Sequence, residues 1–188
     1  AKMKVLYFSE HYENSSSFIF KQVEDVSDEL EVSYLCFSIR NEPDSYNHEI
    51  IVLDYKPGKW KQYILKILEL RDIYLNFRDN FLSLQIQKIM QRVNPVIIHS
   101  QYGYDAMKLL DNFYSSEKKF VITFRGYDAS LLLTLESYVE KLKFYLSKKN
   151  VYPVFVCQHL KLNLINCGIN INPIHAVIYS NTNTEFFR

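Results

Sequence analysis

A chain of 188 residues, 48% hydrophobic and 23% charged, is long enough to bury one core of its own, and that balance excludes an intrinsically disordered polymer. A formal net charge of +1 gives overall electrostatics no hold on nucleic acid, so no nucleic-acid partner is expected. Cys36, Cys157 and Cys167 are odd in number and lack Cys-x-x-Cys spacing, which reads as reduced thiols in or near the core.

From the amino terminus, Met3-Lys4-Val5-Leu6-Tyr7-Phe8 is too short for a secretory leader and runs into Glu10-His11. It reads as a first strand. Further apolar runs at 32–37, 50–53, 96–98, 120–124, 154–157 and 176–179 bring the expected strands to seven. Helical patterns lie between them at 18–30, 105–113, 131–146 and 159–167. The stretch 59–93 is too long for one ordinary helix, and a break near Asp79-Asn80 divides it into two, the second stopped by Pro95. Gly168 is expected to cap the helix that begins near His159. Strands alternating with helices predict an α/β fold, a doubly wound, mostly parallel Rossmann-like sheet of about seven strands with helices on both faces. No segment approaches the about 20 apolar residues of a membrane span, and a cytoplasmic protein is expected.

Ligands collect where the strands of such a sheet finish. Two apolar runs end abruptly in polar residues and a glycine: His99-Ser100-Gln101-Tyr102-Gly103 and Thr123-Phe124-Arg125-Gly126-Tyr127-Asp128. Two of the four glycines, Gly103 and Gly126, stand just beyond these strand ends, which predicts a close backbone approach there. After the first strand, Ser15, Ser16 and Ser17 deliver small polar residues to a helix amino terminus, where unpaired N–H groups favour an anion or where one serine simply caps the helix. The Gly-x-Gly-x-x-Gly and Gly-x-x-x-x-Gly-Lys-Ser/Thr patterns are missing, so a nicotinamide or flavin oxidoreductase and a P-loop hydrolase have no support. The histidines show no ligand spacing with one another or with the cysteines, and no metal is expected.

These segments resemble the amino-terminal lobe of family-four retaining glycosyltransferases of GT-B architecture, whose strand ends read His-x-His-Phe-Gly and Thr-Phe-His-Gly-Tyr-Asp. Gln101 and Arg125 stand where the middle histidines are usual. The segment from Ser16 through Phe18 and Ile19 to Gln22-Val23 is similar to the family's Ser-x-Thr-Phe-Ile-x-x-Gln-Ile, and the strand Val154-Phe155-Val156-Cys157, with Leu160, Leu164 and Gly168 after it, resembles the unit before the lobe's last strand. The closing run from Val177 to Arg188 resembles Val-Ile-Tyr-Asn-Gly-Val-Asp-Thr-Glu-Phe-Phe, with Ser180-Asn181 in place of Asn-Gly.

The resemblance implies that residues 1–188 form the acceptor-side lobe of a two-lobed enzyme, with the carboxy-terminal donor-binding lobe absent from this chain. It implies transfer of a sugar from a nucleotide-sugar co-substrate, without cofactor or metal, to a saccharide or lipid-linked acceptor in bacterial surface polysaccharide or glycolipid synthesis, the isolated chain being inactive. Arg125, a permanent cation with a planar fork of donors, is the candidate catalytic residue, placed to stabilise a leaving diphosphate or an acidic acceptor rather than to move a proton, against the plainer reading of a local pair with a carboxylate such as Asp128. Ser15, Ser16, Ser17, His99, Gln101, Tyr102, Gly103, Gly126, Tyr127 and Asp128 are the candidate substrate contacts. Lys59, Trp60 and Lys61, in a basic and aromatic stretch, could dock on the inner face of an anionic membrane, against the plainer reading of a solvated helix face. The rival to catalysis is a doubly wound regulatory domain that binds a sugar or phosphate without turnover.

Overall fold

The computed structural model describes residues 2–13, 17–40, 45–53 and 71–179. In chain order these form β1 (Lys4–Phe8), β2 (His11–Glu13), α1 (Ser17–Ser27), β3 (Glu31–Cys36), β4 (Ser38–Arg40), β5 (Glu49–Val52), α2 (Arg71–Val93), β6 (Ile97–Ser100), α3 (Gly103–Asn112) and β7 (Lys119–Phe124). Two 3-10 turns follow, then α4 (Glu136–Leu146), β8 (Val151–Phe155), α5 (Gln158–Asn166) and β9 (Ala176–Val177).

Among the described residues seven strands make one sheet, in the order β5-β3-β1-β6-β7-β8-β9. Every neighbouring pair is parallel. The continuous apolar runs follow from burial on both faces. Along β1, Leu6 and Phe8 join Leu35, Ile98, Ile122 and Phe124 in a core completed by Ile86, Leu109, Leu142 and Leu164 from helices α2 to α5. Val5 and Tyr7 point the other way and join Val32, Tyr34, Cys36 and the α1 residues Ile19 and Val23. The chain builds outward from β1 through β3 to β5, then returns through α2 to β6 on the other side of β1. The direction of winding therefore reverses between β1 and β6, and a crevice opens at their carboxyl ends.

The expected break at Asp79-Asn80 is absent: α2 runs without interruption over 23 residues. Asp and Asn cost a helix interior under about 1 kcal/mol each, whereas stopping strands four carbonyls and then requires a new nucleus. Its end lies where expected, with Asn94 at φ 47 donating to the Met90 carbonyl at 2.9 Å, immediately before Pro95. The helix expected at 131–146 starts only at Glu136. Ahead of it, Thr134 donates its hydroxyl to the Leu131 carbonyl at 2.8 Å and Leu135 is extended, so the Leu-rich run forms a 3-10 turn.

Strand β8 begins earlier than expected and contains Pro153, which lies beyond the two-residue pairing of β8 with β9. The short parallel pair β2 and β4 was not anticipated. Gly168, at φ 72, does cap α5: its N–H reaches the Ile165 carbonyl and that of Ile169 reaches Leu164, the two bonds of a Schellman motif. The three cysteines are free thiols, with Cys36 buried and its thiol pushed up to about 11 by burial. Among the described residues no helix is long and apolar enough to cross a membrane.

Candidate functional site

The loops after β1, β6 and β7 meet at the crevice and are stitched together by their own backbone. Gln101 N–H donates to the Phe8 carbonyl at 3.0 Å, tying the β6 exit to the end of β1. Asp128 ties the β6 and β7 exits. One carboxylate oxygen accepts Gly103 N–H at 2.7 Å, and the other accepts the N–H groups of Arg125 and Gly126, both at 3.0 Å. Its own carbonyl accepts the Tyr138 hydroxyl at 2.9 Å. Asp128 is 1% exposed, so it acts by holding the loop, a role a carboxylate fills because three convergent N–H groups favour negative charge.

The close approach expected of the two glycines has different causes. A Cβ on Gly103 would stand 2.5 Å from both the Phe124 ring and the Tyr138 hydroxyl, so α3 can begin there only without a side chain. Gly126 has φ 156 and ψ −83, a region that L side chains rarely adopt.

Arg125, half-buried, turns its guanidinium toward the crevice rather than toward the Asp128 carboxylate. Its Nε donates to the Gln101 carbonyl at 3.1 Å, and Nη2 donates to Gln101 Oε1 at 2.6 Å and to Gln22 Oε1 at 3.2 Å. Burial pushes its pKa down, while Tyr102, Asp128 and Tyr34 act in the opposite direction. Gln101 is fully buried, and its Nε2 has no hydrogen-bond partner. Gln22 is a site residue that the strand-end reading missed. The available signal was its position at the glutamine of the first resembling segment, and α1 carries it to Arg125.

His99 sits one step back along β6. Its Nε2 lies 2.7 Å from Thr123 Oγ1, and its ring packs 5.0 Å from that of Tyr7. Burial, and then the neighbouring Arg125 charge, hold its pKa down to about 3, so the ring is neutral at ordinary pH. Tyr102 immediately precedes α3 and stacks on Tyr104 with centroids 5.4 Å apart, while Tyr127 is exposed beyond β7. Ser15 and Ser16 lie outside the described residues, as do Lys59, Trp60, Lys61 and the closing run from Ser180. Ser17 is the first residue of α1.

Asp105 belongs to the same strand end as His99, Gln101 and Tyr102 in the sequence, which assigns it no role of its own. It stands in the first turn of α3. In the fold it is fully buried, Oδ2 accepting Glu10 N–H at 3.1 Å and Oδ1 having no partner. Burial pushes its carboxyl up to about 7. Among the described residues no group of three or more His, Cys, Asp or Glu is gathered so as to hold a metal ion.

No family model matches the sequence, and no curated protein does. Solved structures do match in fold. One is a shorter chain of sucrose-phosphate synthase from Thermosynechococcus elongatus, with a TM-score of 0.58 at 14% identity over 98% of this chain and 93% of that one. Another is sucrose-phosphate synthase from the same organism at a TM-score of 0.62 and 13% identity, again over 98% of this chain. There the chain spans 49% of its counterpart, about half its length. At such identities the likeness establishes architecture: this chain has the Rossmann-like α/β fold of one lobe of a GT-B protein.

Proposed function

We propose that the chain is the acceptor-side lobe of a retaining glycosyltransferase that moves a sugar from a nucleotide-sugar to a saccharide or lipid-linked acceptor, in bacterial surface polysaccharide or glycolipid synthesis. The reading is supported above all by one convergence. Gln22, Gln101 and Arg125 come from three separate segments that resemble the same enzyme family, and they form one hydrogen-bonded cluster at the switch-point crevice. Polar side chains from three segments that bond to one another at a strand-end crevice are placed as a ligand site of such a sheet would place them. The fold held in common with sucrose-phosphate synthase supports the same reading.

In this reading the donor is held by a second lobe and the reaction takes place between the two. Arg125 brings a permanent cation to the side where a leaving diphosphate develops charge, and its grip on Gln101 fixes where that cation stands. The exposed ring of Tyr127 and the half-buried ring of Tyr102 offer apolar faces and hydroxyls to an acceptor.

The test is a transfer assay with a panel of nucleotide-sugars and saccharide or lipid-linked acceptors, run on this chain alone and on a polypeptide that carries it together with a donor-binding lobe. The expected result is no turnover by the chain alone, and turnover with retained anomeric configuration by the longer polypeptide. Turnover by the chain alone, an inverted product, or sugar binding without any transfer by the longer polypeptide would overturn the proposal.

A further inference from the structure

A cavity of about 100 Å3 lies at the carboxyl end of β1, beside the Arg125 cluster, and Ser9, Glu10, Tyr12, Tyr34, Tyr104 and Asp105 are among its walls. Most polar atoms there are already engaged. Ser9 Oγ donates to the His11 carbonyl at 2.6 Å or shares a proton with the Tyr34 hydroxyl at 2.6 Å, and Glu10 pairs with Lys108 at 2.8 Å. Asp105 differs. It is 0% exposed, its Oδ2 is taken by Glu10 N–H, and Oδ1 has no hydrogen-bond partner. A buried carboxylate oxygen left without a donor is costly, and a ligand that brings a donor removes the cost.

The kind of donor follows from the walls. Among the described residues, Glu10 and Asp105 are the carboxylates lining the cavity, and no lysine or arginine lines it. A phosphate or carboxylate would therefore meet like charge. Phe20, Tyr12, Tyr34, Tyr102 and Tyr104 line the rest, and aromatic rings around a carboxylate suit a small cation. We propose that this cavity binds a primary ammonium group, carried by an amino sugar or another small amine, with Asp105 as its counter-ion. The volume admits an ammonium group and the carbon that carries it, and leaves the rest of the ligand in the crevice. The inference deepens the reading above by giving that crevice a ligand class, while its own support is the cavity wall.

Binding releases a proton from Asp105 to solvent. The Asp105 carboxyl stands at about 7: burial raises it most, the Glu10 N–H and Lys108 lower it, and the Glu10 and Asp128 charges add a smaller rise. Tyr34, Tyr104 and Tyr138 also face it. The empty protein near neutral pH thus holds Asp105 partly as the acid, and an ammonium ion takes the carboxylate. Affinity for methylammonium, which stays protonated throughout, should rise from pH 6 toward pH 8, by up to about tenfold per unit below the pKa and levelling above it.

The experiment is an amide-resonance titration of the whole chain with methylammonium and glucosamine, compared with glucose and N-acetylglucosamine, repeated with Asp105→Asn and Tyr104→Leu. Saturable shifts at Ser9 and Glu10 with the two amines alone are expected, weakened about tenfold or more in Asp105→Asn. The asparagine retains an oxygen for Glu10 N–H, and a retained cooperative melt shows that it folds. Tyr104→Leu, which removes one aromatic wall, should weaken the amines without creating affinity for glucose. Equal shifts from glucose and glucosamine, unchanged amine binding in Asp105→Asn, or no saturable shift with either amine would overturn the proposal. Because binding is measured directly, its failure is distinguishable from failure of sugar transfer.

Discussion

Arg125 holds Gln101 twice, through Nε to its main-chain carbonyl at 3.1 Å and through Nη2 to its side-chain oxygen at 2.6 Å. These two residues are the ones that depart from the middle histidines of the resembling motifs, so the departures form one interacting pair rather than two independent changes. Arg125→Ala leaves both Gln101 oxygens without this donor and should destabilise by about 1–3 kcal/mol. In a denaturation cycle, Arg125→Ala and Gln101→Ala should be non-additive by about 0.5–3 kcal/mol. Strict additivity would show that the pair is not coupled. In a polypeptide competent for transfer, Arg125→Lys should recover only part of the activity lost in Arg125→Ala, because a lysine keeps the charge and loses the fork.

Asp128 should be among the costliest single polar substitutions in the site. Alanine removes the acceptor of three N–H groups, from Gly103, Arg125 and Gly126, in a residue that is 1% exposed. A loss of about 3 kcal/mol or more is expected, with Asp128→Asn between alanine and wild type because one oxygen remains. Urea denaturation of the three proteins measures the order, and equal midpoints would remove Asp128 from this role.

His99 and Asp105 give stability opposite slopes with pH. The folded-state pKa of His99 is depressed to about 3, so its contribution is present above the ordinary histidine value of 6.5 and is lost as pH falls from there toward 3. The carboxyl of Asp105 is raised to about 7, so its contribution is full below the ordinary 3.8 and is lost as pH rises through 7. At about 1.4 kcal/mol per pH unit, each effect amounts to at most a few kcal/mol. Melting temperatures between pH 4 and pH 8 should show Asp105→Asn gaining on wild type toward pH 8, and His99→Gln gaining on it toward pH 4. Parallel profiles for wild type and both variants would contradict these assignments.

Lys59, Trp60 and Lys61 retain the expectation the sequence gives them. Vesicles containing anionic lipid should sediment more protein than neutral vesicles, and the triple alanine variant should lose the difference. Equal sedimentation with both vesicle types would reduce the stretch to a solvated surface.

The sheet was legible because strands buried on both faces admit few polar residues: the runs Val32–Cys36 and Phe120–Phe124 show as apolar segments interrupted by one each, Ser33 and Thr123, whatever their neighbours are. The helix end before Pro95 and the cap at Gly168 were legible for a similar local reason, since a following proline and a glycine in left-handed backbone are properties of a few adjacent residues. Nothing local marked 79–80 as continuous helix or 131–134 as a 3-10 turn, because small propensity differences yield to what the neighbouring chain can satisfy. The strand-end residues could be named from sequence, but their partners could not. Gln22, Gln101 and Arg125 are joined across more than a hundred positions by the reversal of winding at β1 and β6. Asp105 has no assigned role in the sequence, and only the fold shows it buried with one oxygen on the Glu10 N–H and the other without a partner. Composition and pattern determine which segments must be buried; only the assembled sheet decides which polar groups lose water together, and that loss of water is what fixes their partners and their charge.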